Sequence, residues 1–265
     1  MPVVEQIIVY PIKSLSGVGM NRLMAREEGF AYDRRMMLVD DDCRFMSQRE
    51  NARMALFQCQ FGKDSLIVSY ENDQLHIPLK KDYSSQLLRK VSVWSSNLKA
   101  SIISKEVDAW FSDRLGKSVS LVRLSKDHKR YKRFYKKPFK TSVSFADGYP
   151  YLVLSKESMN LLNEKLDKSL DINCFRANII VSGDEPHAED SWSEYKIASA
   201  HFRNIKPCAR CVVTTIDQET GEKSSEPLKT LSAYRRKGNK IYFGINAICL
   251  KEGEISLGQE IKMVN

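Results

Sequence analysis

The apolar runs of this 265-residue chain are short, and most end at a proline, a glycine or a cluster of Asp, Asn and Ser. Such runs read as strands, and their number makes strands the dominant element. Residues 3–10 form the first, stopped by Pro11, which cannot donate to a sheet ladder. Residues 36–40, 66–70, 74–79, 119–124, 151–154, 177–182, 212–216 and 241–250 read the same way. Residues 44–47 return from a turn at 40–42, and Glu71-Asn72-Asp73 closes a hairpin. Helical spacing is rarer. Val107, Trp110, Phe111 and Leu115 mark a helix over 105–115, with Ser104 as its N-cap and Gly116 as its stop. Met159, Leu162 and Leu166 mark another over 155–168. Strands and helices do not alternate as βαβ units do. The expected class is α+β, mostly β: an antiparallel, barrel-like architecture with a few helices.

Charge is placed unevenly. The chain carries 42 Lys and Arg against 33 Asp and Glu, a net charge of +9. Residues 126–140 hold eight of those cations (Lys126, Lys129, Arg130, Lys132, Arg133, Lys136, Lys137 and Lys140) against one acid, Asp127. Basicity is therefore a local device. The same run is the expected boundary between an N-terminal β-barrel-like region, 1–125, and a second domain, 126–265. No stretch reaches the roughly 18 uncharged apolar residues of a membrane span. Glu5 interrupts the first apolar run, and no basic n-region of a signal peptide precedes it. Six cysteines, four of them isolated, do not read as a disulfide framework. A reduced, cytoplasmic protein with no membrane partner is expected.

The sharpest local feature is Lys206-Pro207-Cys208-Ala209-Arg210-Cys211. As a zinc knuckle this C-x-x-C lacks the further ligands of a closed four-coordinate site, His201 being the nearby imidazole. As a thioredoxin-type pair it lacks the helix the first cysteine needs, because Val212-Val213-Thr214-Thr215-Ile216 is β-branched and strand-like. A third reading is one ligating or reactive thiolate beside Arg210, suited to a soft metal centre. A fourth is two packed cysteines with no chemical role. In an extended segment positions 208 and 211 point to opposite faces, so one cysteine would face a pocket while the other packs. Four cations, Lys13, Arg34, Arg176 and Arg210, stand at strand ends, where the loops of a barrel gather. Singly each reads as a surface charge or a cap; together they suit a phosphate or other anionic ligand. Neither a Gly-rich phosphate loop nor a G-x-S-x-G occurs.

Taken in order, five segments resemble the MOSC proteins (molybdenum cofactor sulfurase C-terminal domain). They are Tyr10-Pro11-Ile12-Lys13-Ser14, Asp33-Arg34, Phe175-Arg176-Ala177-Asn178-Ile179, Glu189-Asp190-Ser191-Trp192 and Cys208-Ala209-Arg210-Cys211. Within that family the chain is similar to the branch of the mitochondrial amidoxime-reducing component and its bacterial relatives, which carry an N-terminal β-barrel region. The resemblance runs through Thr214-Thr215-Ile216-Asp217 to Tyr234-Arg235 and covers nearly the whole chain. It implies a β-barrel that binds the molybdenum cofactor as Mo-molybdopterin, with Cys211 as the protein ligand to the metal and the catalytic residue. Lys13, Ser14, Arg34 and Arg176 match positions that hold the pterin and its phosphate, and Asn178 belongs to the same set. Ala209 and Arg210 touch the cofactor, Asp147, Gly148 and Tyr149 match a contacting loop, and Asn246 matches a further contact. Three departures stand out: Ala177 for the family's proline, Gly148-Tyr149 for a hydroxyl pair, and Ala209 for a serine before Arg210.

The implied activity is reduction of a small N-hydroxylated substrate, R–NH–OH or an amidoxime, to the amine or amidine plus water. The chain shows no Cys quartet for an iron–sulfur cluster. Electrons are then expected from a separate ferredoxin- or flavin-type protein, and the run from Lys126 to Lys140 is the expected dock for such an acidic carrier. Nucleic acid is not the expected partner, although Tyr131, Phe134, Tyr135 and Phe139 interleave with those cations. No general acid is evident, although Asp147 lies in the appropriate loop. The rival reading is a non-catalytic cofactor-binding or sulfur-carrier module with Cys211 as a persulfide carrier.

Overall fold

The first strand, Val3–Val9, sets the layering. Ile7 and Val9 enter one apolar cluster while Ile8 and the following Tyr10 enter another, the two-residue period of a strand buried on both faces. The computed structural model describes every residue except 82, 84–86, 126–129, 134–139 and 265. Among the described residues the largest sheet has nine strands. Its order is Val18–Met20, Val3–Val9, Ile179–Ser182, Tyr151–Ser155, Lys240–Lys251, Ala200–Ala209, Glu194–Ile197 and Ile261–Val264, with Arg236–Lys237 paired to Lys240–Lys251. Neighbours are antiparallel except Tyr151–Ser155 and Ile179–Ser182, a parallel pair whose connection contains the helix Lys156–Asn163. The sheet therefore draws strands from both ends of the chain, and the class is α+β, mostly β.

Between those ends a four-stranded sheet runs Met36–Val39, Ser120–Leu124, Ser96–Ile102 and Leu88–Val93. A three-stranded one runs Gln58–Phe61, Ser65–Tyr70 and Asp73–Pro78. They pack with the helix Lys105–Leu115 around Ile12, Leu15, Leu38, Phe57 and Phe111. That helix starts and stops as its sequence dictates: the Ser104 hydroxyl accepts from the Val107 N–H at 3.3 Å, and Gly116 adopts φ 63°. The hairpin expected at Glu71-Asn72-Asp73 forms, with Tyr70 paired to Asp73.

Three expectations need correction. The helix over 155–168 stops at Asn163, whose side chain bonds both backbone groups of Leu170 (3.0 and 3.1 Å) and folds the chain back. Residues 44–47 make only isolated bridges, from Phe45 to Val39 and from Arg44 to Ser92. Residues 212–215 form a 3-10 turn rather than a strand. Among the described residues no helix is long and apolar enough to cross a membrane.

Candidate functional site

Each of the twelve site residues expected from the sequence lines one cavity, with about 860 Å³ of empty space including its open mouth. The chain reaches the cavity first through the turn after Val3–Val9. Ile12 and Leu15 are buried in the core around Phe57 and Phe111, and between them Lys13 and Ser14 (φ 70°) face the cavity. The Lys13 ammonium donates to the Phe145 carbonyl at 3.0 Å and to the Asp147 carboxylate.

Asp33, 2% exposed, is the hub behind the cations. Its Oδ1 accepts from the Tyr10 N–H (2.9 Å) and Asn178 Nδ2 (3.1 Å), and its Oδ2 accepts from Arg34 Nη1 (2.7 Å). Arg34 also donates to Asn178 Oδ1 at 2.9 Å and to the Arg176 carbonyl at 3.1 Å. Arg176 follows a 3-10 turn in the left-handed conformation (φ 58°), which delivers its side chain to the cavity. The guanidinium carbons of Arg34 and Arg176 lie 4.4 and 4.3 Å from the centre of the Tyr10 ring. Arg176 Nη2 is buried without a hydrogen-bond partner, and burial pulls its pKa down to about 10. Arg210 donates to the Phe175 carbonyl at 2.6 Å and to Cys208 Sγ at 3.1 Å, while its Nε is also buried without a partner. Buried cationic donors with no partner are costly, and an anion bound among them would supply what they lack. The donor set therefore fits a phosphate-bearing cofactor.

Asp147 faces these cations from the loop before Tyr151–Ser155. Burial would raise its carboxyl. The charge and hydrogen bond of Lys13, the Trp94 indole N–H at 3.0 Å and Arg49 Nη2 at 3.8 Å instead hold it well below the usual carboxylate range. It is ionised at neutral pH and acts as an acceptor, so its place in this loop does not make it the general acid. Arg130 secures the same loop, donating to the carbonyls of Ser144 (3.2 Å) and Ala146 (2.6 Å). At 3% exposed it is not part of a basic docking surface. Lys126, Lys129, Lys136 and Lys137 lie outside the described residues.

Both cysteines of the C-x-x-C line the cavity, against the expectation of opposite faces. The strand Ala200–Ala209 is irregular between Pro207 and Ala209, which breaks the two-residue period. The chain then turns, with the Thr214 hydroxyl donating to the Cys211 carbonyl (3.0 Å) and the Thr215 hydroxyl to that of Val212 (2.9 Å). Those bonds satisfy backbone groups locally and override the strand propensity of the β-branched run. Cys211 is exposed, with Arg49 Nη2 3.6 Å from its sulfur. Asn246 reaches the cavity from Lys240–Lys251, and Tyr149 from the 147–149 loop, under the Lys206 ammonium at 5.2 Å. His201 is 2.8 Å from Glu194 and does not line the cavity, so it offers no third ligand to the cysteines.

Sequence reading missed Ser47, Arg49 and Trp94. Ser47 and Arg49 line the cavity, and Gln48 between them is buried and donates to the Ser14 carbonyl at 2.9 Å. The usable signal was a polar triplet directly after Phe45-Met46. The Glu189-Asp190-Ser191-Trp192 segment does not line the cavity. Glu189 is fully buried and accepts from the Ser155 N–H and the Ser158 hydroxyl (both 3.2 Å), Asp190 pairs with Arg235, and Trp192 joins the core.

Residues 140–262 match the MOSC domain, and residues 1–118 match the MOSC N-terminal beta barrel domain. The chain is similar to the molybdenum cofactor sulfurase of Oryza sativa subsp. japonica, 29% identical over 94% of this chain and 33% of that protein. It is also similar to the mitochondrial amidoxime-reducing component 1 of Homo sapiens, 28% identical over 98% of this chain and 82% of that protein. The mitochondrial amidoxime reducing component 2 of Bos taurus is 30% identical over 97% of this chain and 82% of its own length. The chain thus spans about a third of the sulfurase and most of the two amidoxime-reducing components.

Proposed function

The chain belongs to the MOSC-domain family, with the MOSC N-terminal β-barrel domain ahead of the MOSC domain, and on that footing we propose that it is a molybdenum-cofactor-dependent reductase of N-hydroxylated compounds. The reaction takes R–NH–OH, or an amidoxime, with two electrons and two protons to the amine or amidine and water. The observation that carries this reading is an exposed Cys211 sulfur sharing one cavity with Arg176 and Arg210, whose buried nitrogens lack partners.

In this reading Cys211 is the protein ligand to molybdenum, a soft thiolate for a sulfur-rich centre. Lys13, Ser14, Arg34, Arg176 and Asn178 hold the pterin and its phosphate, and Ala209, Arg210, Asn246 and the loop 147–149 complete the cradle. Bound there, the cofactor would supply a two-electron redox couple. The chain's own residues bind and orient. Asp33 fixes Arg34 and Asn178 in one hydrogen-bonded frame, and Lys13 keeps Asp147 ionised. The charge of residues 126–140 is the ground for placing an acidic ferredoxin- or flavin-type donor there, and the cytoplasm is the proposed compartment.

One observation favours a second reading. The match to the sulfurase occupies only a third of that protein, so the same fold serves as one part of a larger one. A cofactor-binding or sulfur-carrying module would use Cys211 as a persulfide instead. Molybdenum, zinc and released pterin measured on protein from a cofactor-competent host separate the two. Near-stoichiometric molybdenum and pterin, lost in Cys211→Ala together with amidoxime reduction, supports the reductase. Zinc, or neither metal nor pterin, overturns it.

A further inference from the structure

The turn between the strands Leu88–Val93 and Ser96–Ile102 holds Trp94 at φ 54°, with Val93 and Ser96 paired across it. A two-residue turn favours glycine where φ is positive, and a bulky aromatic there is strained. Such strain persists where the surroundings fix it, and it gathers at functional sites. Here three neighbours fix it. The indole N–H donates to Asp147 Oδ1 at 3.0 Å, the ring packs on Phe45 with centroids 4.9 Å apart, and the Arg49 guanidinium lies 4.8 Å from the ring centre. None of these buries it: Trp94 remains 49% exposed. A tryptophan kept for packing alone belongs inside.

Its place gives the open surface a use. Arg49 and Asp147 both line the cavity, and Arg49 Nη2 stands 3.6 Å from the Cys211 sulfur. Trp94 touches both without itself lining the cavity, so indole and guanidinium together make a shelf beside the cavity on the side of Cys211. The geometry points to Trp94, with Arg49, as the specificity-determining wall: the flat, conjugated body of a substrate rests on the shelf while its N–OH group reaches past Cys211. This rests on the reductase reading for its chemistry, but the shelf itself can be tested without turnover.

The test compares benzamidoxime with acetamidoxime, which share a reacting group and differ in the ring. Trp94→Phe keeps a flat ring and loses the N–H, whereas Trp94→Gln keeps an N–H donor and loses the ring. Aromatic stacking is worth on the order of tenfold in affinity. The kcat/KM ratio of benzamidoxime to acetamidoxime should therefore fall about tenfold in Trp94→Gln, through KM, and less than about threefold in Trp94→Phe. A Trp94→Phe variant as impaired as Trp94→Gln, or an unchanged ratio in both, overturns the shelf and leaves Trp94 as a holder of Asp147. A second readout is fluorescence quenching by benzamidoxime, taken as the difference between wild type and Trp94→Phe. If the loaded wild type reduces neither amidoxime, the reductase reading has failed. Trp94-dependent quenching by benzamidoxime alone then still supports the shelf, and its absence overturns it.

Discussion

The Lys13 ammonium, 8% exposed, is ion-paired with the Asp147 carboxylate, 58% exposed, across 134 positions of sequence. Burial pulls the Lys13 pKa down and Asp147 pulls it back, with burial the larger effect. Asp147 itself is held below its ordinary value, so the folded protein binds that proton less readily than the unfolded chain. Its contribution to stability is therefore complete above about pH 4 and is lost as the pH falls below that. Asp147→Asn should lower stability at pH 7 by only about 1 kcal/mol, because solvent screens so exposed a carboxylate. Urea unfolding at pH 7, 5 and 3 checks the sign. The gap between wild type and variant should narrow at pH 3, and a constant gap contradicts the assignment.

Arg176 should separate folding from cofactor retention. Its Nη2 has no partner, and its charge lies against the same Tyr10 ring as that of Arg34, which adds repulsion. Arg176→Gln relieves both, at the loss of one cation–π contact. Cofactor-free protein should therefore be unchanged or more stable, within about 1 kcal/mol. A charge-assisted hydrogen bond to phosphate is worth about 1.5–3 kcal/mol, so cofactor retention should fall about tenfold or more. A melt of the cofactor-free variant and the molybdenum content of loaded protein test the two halves separately. Marked destabilisation of the cofactor-free form would mean that Arg176 is a structural cation.

How much of this was legible in the sequence depended on whether a residue acts through its neighbours in the chain. Lys13 and Arg176 stand beside buried apolar residues, Arg34 follows the buried Asp33 and Arg210 follows the end of the strand Ala200–Ala209, so their placement at one cavity followed from local pattern. Trp94 had no such pattern, and Arg49 had only the polar triplet after Phe45-Met46. A lone arginine in a loop and a tryptophan in a hairpin turn look like surface until distant segments bring Asp147 to them. The strand Ala200–Ala209 was hidden for a different reason: its register shifts at three places and it contains Pro207, so no clean alternation marks it. The run after Cys211 was misread because β propensity ignores the threonine hydroxyls that cap nearby carbonyls.

Asp33 should be the most costly single truncation at the site. At 2% exposed it serves three donors, the Tyr10 N–H, Asn178 Nδ2 and Arg34 Nη1. Asp33→Ala strands the Tyr10 N–H and leaves a guanidinium without its anion, although Arg34 Nη1 keeps Asn178 Oδ1 and Asn178 Nδ2 keeps the Ile8 carbonyl, a loss of about 3–5 kcal/mol. Asp33→Asn retains an acceptor at Oδ1 and should recover part of that. Denaturant unfolding of the two variants gives the comparison. A loss below about 1 kcal/mol for Asp33→Ala would show that water or a rearranged Asn178 replaces the hub.

The two cysteines make the sharpest contrast, because both line the cavity and only their partners differ. Cys208 Sγ accepts from Arg210 Nη1 at 3.1 Å, and Arg210 keeps the Phe175 carbonyl at 2.6 Å when that sulfur is removed. Cys208→Ala removes one charge-assisted hydrogen bond but should leave the anion clamp standing through the Phe175 carbonyl, so molybdenum should be retained. Cys211 is the exposed one of the pair, and it begins the turn in which the Thr214 hydroxyl holds its carbonyl. Cys211→Ala should lose the metal altogether while melting like wild type in cofactor-free form. Metal analysis of the two variants side by side decides which sulfur is the ligand. Loss in Cys208→Ala with retention in Cys211→Ala would reverse the assignment, and equal retention in both would take the metal away from this motif.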